Sequence, residues 1–333
     1  MTASELSTLF NQFSSLRAGV IGDFAVDLYF DLQKITGEIS LETTKEVYWG
    51  RSPQSSPGGA GNVVANLAAL GVTNITVFGC TGNDLYGREM RYLLQAAGAD
   101  TRFMLSAATN WDTCTYIKPM AGLDEQNRID FGTHNSLAAD DFDQLLATLA
   151  GHLPHLDVLI INQQFLHPLL TPDRISRLNT VIARHPHCRF VADLRHCGNT
   201  IRGATLKVNT RELADLLSVP HPETPDTPWC REHGSLLSRH TGGPVVITRG
   251  ERGIAYINDR LMELVDGIRL SGELDTVGAG DTVVATYAAC LGVGAQPPQA
   301  IETANLAAAV TVQKLRQTGT ATLNEVLSLL SAD

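Results

Sequence analysis

Short apolar runs alternate with longer segments of helical period along most of the chain, and nothing else in the sequence limits the fold as tightly. The runs at 18–24 (AGVIGDF), 75–80 (ITVFGC), 156–162 (LDVLIIN), 189–194 (RFVADL), 205–209 (TLKVN) and 244–250 (PVVITRG) have the length and apolar continuity of strands buried on both faces. Apolar residues at helical spacing fill 61–71, 86–98, 142–153, 210–219, 281–294 and 299–315. Strand, helix and strand in succession predict an α/β fold: a doubly wound, mostly parallel sheet flanked by helices. A chain of 333 residues can bury such a core, and the pattern predicts one domain over 1–333.

Two stretches break the rhythm. Residues 28–57 and 112–133 are rich in Thr, Tyr, Ile and Val with polar alternation, and read as exposed strands of a small β-flap, or lid, inserted in the main domain. Trp49 and Trp111 lie in or beside these segments, where packing the flap is their simplest role. The proline-rich stretch 219–230 reads as a surface loop. Open edges of the flap strands invite a partner strand, so a homodimer through the lid is expected.

Charge narrows the function. A formal net charge of -10 disfavours nucleic acid or an anionic membrane surface as a partner, so any bound phosphate has to be met by backbone N–H groups and a few side chains. Six scattered cysteines without zinc-type spacing read as reduced thiols, and the pairs His152/His155 and His185/His187 lack a third ligand at suitable spacing. The first twenty residues lack the pattern of a secretory leader, and no apolar run is long enough to span a membrane, which makes a cytoplasmic location the default expectation.

Two glycine-rich strings carry the chemistry. LDTVGAGDT (274–282) runs straight into a helix of small residues. Gly278, Ala279 and Gly280 at such a helix start can aim unpaired N–H groups at one spot, at the positive end of the helix dipole, which makes an anion site. Asp281 can be a helix cap or a functional carboxylate on this context alone. Its pairing with Asp275 across the turn favours a base at one end and a carboxylate near a metal–phosphate cluster at the other. SPGGAGNVVANLAALG (56–71) puts Gly58 and Gly59 before a helix, where a ligand can approach backbone closely, and Asn62 offers an amide that can bond vicinal hydroxyls. A tight turn with close packing explains the same glycines.

Together these strings resemble the two signature regions of the PfkB, or ribokinase-like, carbohydrate kinases, and the resemblance spans nearly the whole chain. Further motifs follow in the family's order: VIGDFAVDLY (20–29), KVNTRE (207–212) and TRGERG (248–253). The resemblance implies that Asp27 binds sugar hydroxyls, with Gly58, Gly59 and Asn62 on the same side. It implies that Asn209 and Glu212 stand near Mg2+ through water, that Thr248, Gly250 and Gly253 lie along the nucleotide phosphates, and that the loop 265–275 and Asn305 flank adenine. Asp281 is then the base, with an anion hole at 278–281, ATP is the phosphoryl donor, and a monovalent cation beside Asp275 is a further candidate.

Within that family the chain looks like the kinase domain of bacterial heptose-phosphate kinases, on GEISLETTKEV (37–47), EQNRIDFG (125–132), RHCGNTIRGATLKVNTRE (195–212) and TANLAAAVTVQKLRQTGTATL (303–323). It has DLRHCG at 193–198 where those enzymes show a lysine-containing DPKG, so the acceptor, a sugar or a sugar phosphate, stays open. Arg128 is a candidate for gripping a substrate phosphate or carboxylate, with a surface ion pair to Asp130 as the alternative. The second, nucleotidyl-transferring domain of some relatives would need residues beyond 333 and is not expected. A Rossmann glycine fingerprint after the first strand and a P-loop are both missing. The rival readings are a non-catalytic sugar or nucleotide sensor of the same fold and a nucleoside kinase.

Overall fold

The computed structural model describes residues 1–122, 124–259, 261–315 and 319–330. The chain runs α1 (Ala3–Phe13), β1 (Arg17–Gly22), β2 (Phe24–Gln33), β3 (Trp49–Gly59), α2 (Ala60–Ala69), β4 (Asn74–Gly82), α3 (Leu85–Ala96), β5 (Ala99–Asp100), β6 (Met104–Ala107), β7 (Cys114–Ala121), β8 (Asp124–Glu125) and β9 (Ile129–Phe131). It continues with α4 (Ala139–His152), β10 (Val158–Gln163), α5 (Pro172–Ile182), β11 (Arg189–Leu194), β12 (Thr205–Asn209), α6 (Thr210–Leu217), α7 (Thr227–Thr241), β13 (Val245–Thr248), β14 (Ile254–Asn258), β15 (Leu261–Val265), α8 (Ala279–Gly292), α9 (Pro297–Thr311) and α10 (Leu323–Leu330).

The main sheet has the order β15-β14-β13-β12-β11-β10-β1-β4-β5, with β6 pairing the far end of β4. Pairing is parallel from β13 across to β5, and β14 and β15 add an antiparallel edge. The chain winds one way from β1 to β4 and the other way from β10 to β11. The crevice beyond the carboxyl ends of β1 and β10 is therefore the topological switch point, where open α/β sheets bind ligands.

Both faces of this sheet are covered. Val20, Ile160 and Val191 pack under α2, α8 and α9, whereas Ile21, Leu159 and Ala192 pack under α4, α5 and α7. Successive strand residues point to opposite faces, so one apolar run feeds both cores. Ala285, Ala288 and Ala289 are buried and small, which lets α8 lie across β10 and β11 and against α2 and α9.

A second, five-stranded sheet has the order β3-β2-β7-β8, with β9 pairing β7. Its strands come from the two stretches expected to form exposed strands, and β2 pairs antiparallel with β3 but parallel with β7. Residue 123 of the second stretch, and 316–318 of the 303–323 segment, lie outside the described residues.

Three local readings need correction. The run 18–24 is not one strand: the chain breaks at Asp23, which turns β1 of the large sheet into β2 of the small one. The end of 219–230 is helical, because Asp226 accepts a bond from the Trp229 N–H and Pro228 sits in the first turn of α7, where its missing N–H costs nothing. Trp111 is buried in the main-domain core that also holds Leu137 and Phe142, not in the flap, whereas Trp49 is exposed and donates to Glu38 at 2.8 Å.

If the close approach of α8 positions the switch-point crevice, Ala288→Leu should strain it. The expected cost is about 1–3 kcal/mol, read as a lower urea midpoint with unchanged slope. An unchanged midpoint would show that the helix has room to spare.

Candidate active site

Asp23 organises the switch point. Its carboxylate accepts N–H bonds from Gln164 (2.9 Å), Phe165 (3.0 Å) and Leu169 (2.7 Å), and its carbonyl accepts one from Ala60 (2.8 Å). Burial pushes the Asp23 carboxyl up to about 6, against the pull of those three donors. Gly59 has φ of 56°, and a Cβ there would come within 2.5 Å of the Asp23 carbonyl. Glycine is required by both the angle and the approach, and it starts α2 with Asn62 turned toward α8.

Asn62 and Asp281 meet: Asn62 Nδ2 donates to Asp281 Oδ2 at 2.6 Å, across 219 residues of sequence. Asn62 is 1% exposed, and its Oδ1 accepts a bond from Asn66 (3.1 Å). Asn66 Oδ1 in turn accepts from Thr282 Oγ1 (2.8 Å), which lies 3.1 Å from Thr311 Oγ1. This buried chain of side-chain bonds ties α2, α8 and α9 together at the base of the crevice.

Asp281 is not the cap of its helix. Gly278, with φ of 78°, occupies the N-cap position of α8 without a side-chain cap bond, which leaves the Asp281 carboxylate to Asn62. Ala279 N–H is spent on the Thr276 carbonyl at 3.2 Å. The N–H groups of Gly278, Gly280 and Asp281 have no acceptor among the described residues, so three donors of this turn are available to a ligand and Ala279 is not one of them. Burial and the neighbouring Asp193 carboxylate push the Asp281 carboxyl up to about 7, while the Asn62 bond, Lys207 and Arg195 pull it down.

On the small sheet, Asp27 is paired with Lys118 at 2.7 Å, and Lys118 also donates to the Tyr29 hydroxyl at 2.8 Å. A Cβ at Gly58 would lie 2.7 Å from Asp27 Oδ2, so glycine there makes room for the carboxylate. Arg128 forms the ion pair with Asp130 (2.6 Å) and stacks over the Tyr116 ring at 4.6 Å.

Asn209 and Glu212 cap α6 reciprocally: Asn209 Oδ1 accepts from Glu212 N–H, and Glu212 Oε2 accepts from Asn209 N–H, each at 2.8 Å. Asn209 is the register partner of Thr248 on β13. Gly250 and Gly253 both have positive φ, and a Cβ at Gly253 would collide with the Val265 carbonyl at 2.1 Å. Asn305 donates to the Asp266 carbonyl at 3.0 Å and fixes the same segment. Asp275 Oδ1 accepts the Val277 N–H at 3.0 Å, and its own N–H bonds Val312 at 2.8 Å. Among the described residues no three acidic, His or Cys side chains converge to ligate a metal directly. The second carboxylate oxygen of Glu212 fits an outer role, through water, toward a hydrated cation.

Asp193 and Lys207 escaped the sequence reading. Lys207 Nζ lies 3.2 Å from both Asp193 oxygens, and both side chains are buried beneath the turn at 278–281. Burial works against the Lys207 charge, but Asp193, Glu212 and Asp281 hold the ammonium above the ordinary lysine value. Asp193 and Lys207, each flanked on both sides by apolar residues within the runs RFVADL and TLKVN, were the available signal. Arg195 keeps a cation close to Asp281 in the segment that departs from the lysine-containing motif.

Residues 17–323 match the family described as pfkB family carbohydrate kinase. Proteins named bifunctional protein HldE are similar: that of Pseudomonas aeruginosa (strain LESB58) is 30% identical over 310 residues, and that of Azotobacter vinelandii 31% over 313 residues, each over 92% of this chain. The chain spans 61% of the length of those two relatives. Among solved structures, phosphofructokinase-2 from Escherichia coli in complex with potassium superposes with a TM-score of 0.74 at 17% identity, over 95% of this chain and 99% of that one. Ribokinase from Arabidopsis thaliana complexed with ribose and ATP gives 0.69 at 19% identity, over 95% and 98%. These likenesses show the ribokinase-like fold.

A carboxyl whose folded value is raised loses stability as it ionises. Between the usual Asp value of 3.8 and about 7, the folded chain keeps a proton that the unfolded chain has released, so stability falls as pH rises through that window. Asp281→Asn removes this penalty. Its urea midpoint should exceed the parent's at pH 8, with the gap closing toward pH 4; equal midpoints at pH 8 would contradict the raised value.

Proposed function

Since the chain belongs to the pfkB family of carbohydrate kinases, we propose that it transfers the terminal phosphoryl group of ATP to a hydroxyl of a sugar or sugar phosphate, with Asp281 as the base. The observation that carries this reading is the Asn62–Asp281 contact beside the N–H groups of Gly278, Gly280 and Asp281, which have no acceptor among the described residues.

Phosphoryl transfer asks the protein mainly to align the reactants and to neutralise charge on the moving group. Asp27 and Asn62 orient the acceptor sugar at the carboxyl ends of β1 and β10, with Gly58 and Gly59 letting it approach the backbone. Lys118 holds the Asp27 carboxylate ready and yields part of it to a sugar hydroxyl. Asp281 takes the acceptor proton, the acceptor oxygen bonds to the terminal phosphorus, and the bond from that phosphorus to the bridging oxygen breaks to release ADP. The turn N–H groups meet the developing negative charge.

Thr248, Gly250 and Gly253 flank the phosphates, and Asn305 with the loop 265–275 flanks adenine. Asn209 and Glu212 would hold Mg2+ through water, and Mg2+ would supply screening of the phosphate charge. Asp275 is the candidate neighbour of a monovalent cation. Arg128, levelled by Asp130 and Tyr116, offers a planar fork to a phosphate or carboxylate on the acceptor. The small sheet serves as a lid that excludes water, which would otherwise compete as acceptor.

The base must be ionised to work, so kcat/KM should rise with pH and level off above about 7. Asn62→Ala removes a bond that favours the carboxylate and should move this limb to higher pH. Asp281→Asn should lower turnover with a panel of sugars by on the order of 10² or more, with nucleotide binding retained; activity within a few-fold of the parent rejects Asp281 as base.

The connection between β2 and β3 carries exposed apolar side chains, Ile35 at 91% and Leu41 at 100%, and the small sheet itself exposes Ile129 and Phe131, which supports a homodimer through the lid. Sedimentation should show a dimer at micromolar concentration, and a monomer there overturns that assembly.

A further inference from the structure

Asn162 and Asp193, next to last in the parallel strands β10 and β11, and Lys207, at the middle of β12, are register partners, one beside the next. Two residues earlier on β10 and β11, Ile160 and Val191 belong to the core under α8, so the row faces that helix. All three side chains are buried.

A charged row in this place is not required for packing. A buried ion pair contributes little compared with apolar side chains of similar volume. The pair is also incompletely bonded. An ammonium has three N–H donors, and the two oxygens of Asp193, each at 3.2 Å, are the acceptors Lys207 finds among the described residues. At 0% exposure, Asn162 has a partner for neither amide atom among the described residues.

The free side of the ammonium faces the anion-binding turn. A Cβ built on Gly280 would lie 2.9 Å from Lys207 Nζ, so the ammonium occupies the space that a side chain at 280 would need. The N–H groups of Gly280 and Asp281, which find no acceptor among the described residues, and the Lys207 ammonium therefore stand close together, the first two on the helix and the third on the sheet.

We propose that Lys207 is a further catalytic residue, whose ammonium contacts a non-bridging oxygen of the terminal phosphoryl group of ATP from the sheet side, with Asp193 as its positioning residue. This rests on the kinase reading above. The turn N–H groups and the ammonium together surround the group that moves, and the charge of Lys207 offsets the charge that ATP has and ADP lacks.

The test compares the affinity of the full chain for ATP and for ADP, each with Mg2+ and without acceptor, by calorimetry. Lys207→Met should weaken ATP by about tenfold or more, the worth of a charge-assisted hydrogen bond, and leave ADP within about twofold on the same basis. Gly280→Ala, which pushes the ammonium aside without leaving a lone buried charge, should shift the same preference in the same direction, and Lys207→Arg should restore part of it. If Lys207→Met does not fold, Lys207→Met with Asp193→Asn removes the pair without an unpaired charge and is judged by the same ATP-to-ADP ratio. Equal weakening of both nucleotides, or of neither, overturns the proposal. A parent that binds ATP and phosphorylates a sugar while Lys207→Met keeps its preference overturns this inference alone; a parent that binds neither nucleotide overturns the kinase reading with it.

Discussion

The hydrogen bond from Asn62 to Asp281 is the contact on which the crevice depends. It joins the helix that follows the paired glycines to the helix that follows the Gly-Ala-Gly turn, and so brings two distant motifs to one place. Neither side chain could hold this position alone. Asn62 is fixed by Asn66, Asn66 by Thr282, and Thr282 packs beside Thr311, so the orientation of one carboxylate is shared among three helices. Polar chains of this kind hold one arrangement well only when every member is satisfied.

Around that contact the molecule places charge where water is scarce. Asp281, Asp193 and Glu212 gather on one side of the sheet edge, with Lys207 and Arg195 among them. Burial and mutual repulsion make a proton easier to keep on Asp281, and the cations and Asn62 oppose this. The balance lies near neutral pH, where a carboxyl can both accept a proton and give it up. The same balance has a cost, because an ionised Asp281 weakens the fold that positions it.

Much of this was legible in the sequence because it was written in local patterns. The parallel strands showed as unbroken apolar runs, and the glycine strings marked the two turns that meet. The short edge strands β14 and β15 did not show, since the buried apolar run of β14 is only four residues long and β15 is exposed or half-buried throughout. Nor did α1, α5, α7 and α10, although Thr2 with Glu5, Thr171 before Pro172, and Asp226 with Pro228 are helix-start signals that a closer reading of caps would have used. The partners of the site residues were the least visible part. Lys118, Lys207 and Asp193 act across strands, and cross-strand register is decided by the whole sheet, not by neighbours in sequence. Asn209 and Glu212 show the reverse: their spacing of three residues is a capping box as well as a family motif, and the local pattern alone does not separate the two uses.

The great separation of Asn62 and Asp281 also bears on the order in which the protein is made. Synthesis delivers the glycine pair, Asp23 and Asp27 early, whereas β12 and then α8 arrive only when most of the chain has left the ribosome. Contacts of such long range close late and at an entropic cost. Until α8 has been translated, Asn62 and Asn66 lack the partners, Asp281 and Thr282, that fix them, so the crevice is completed only near the end of synthesis.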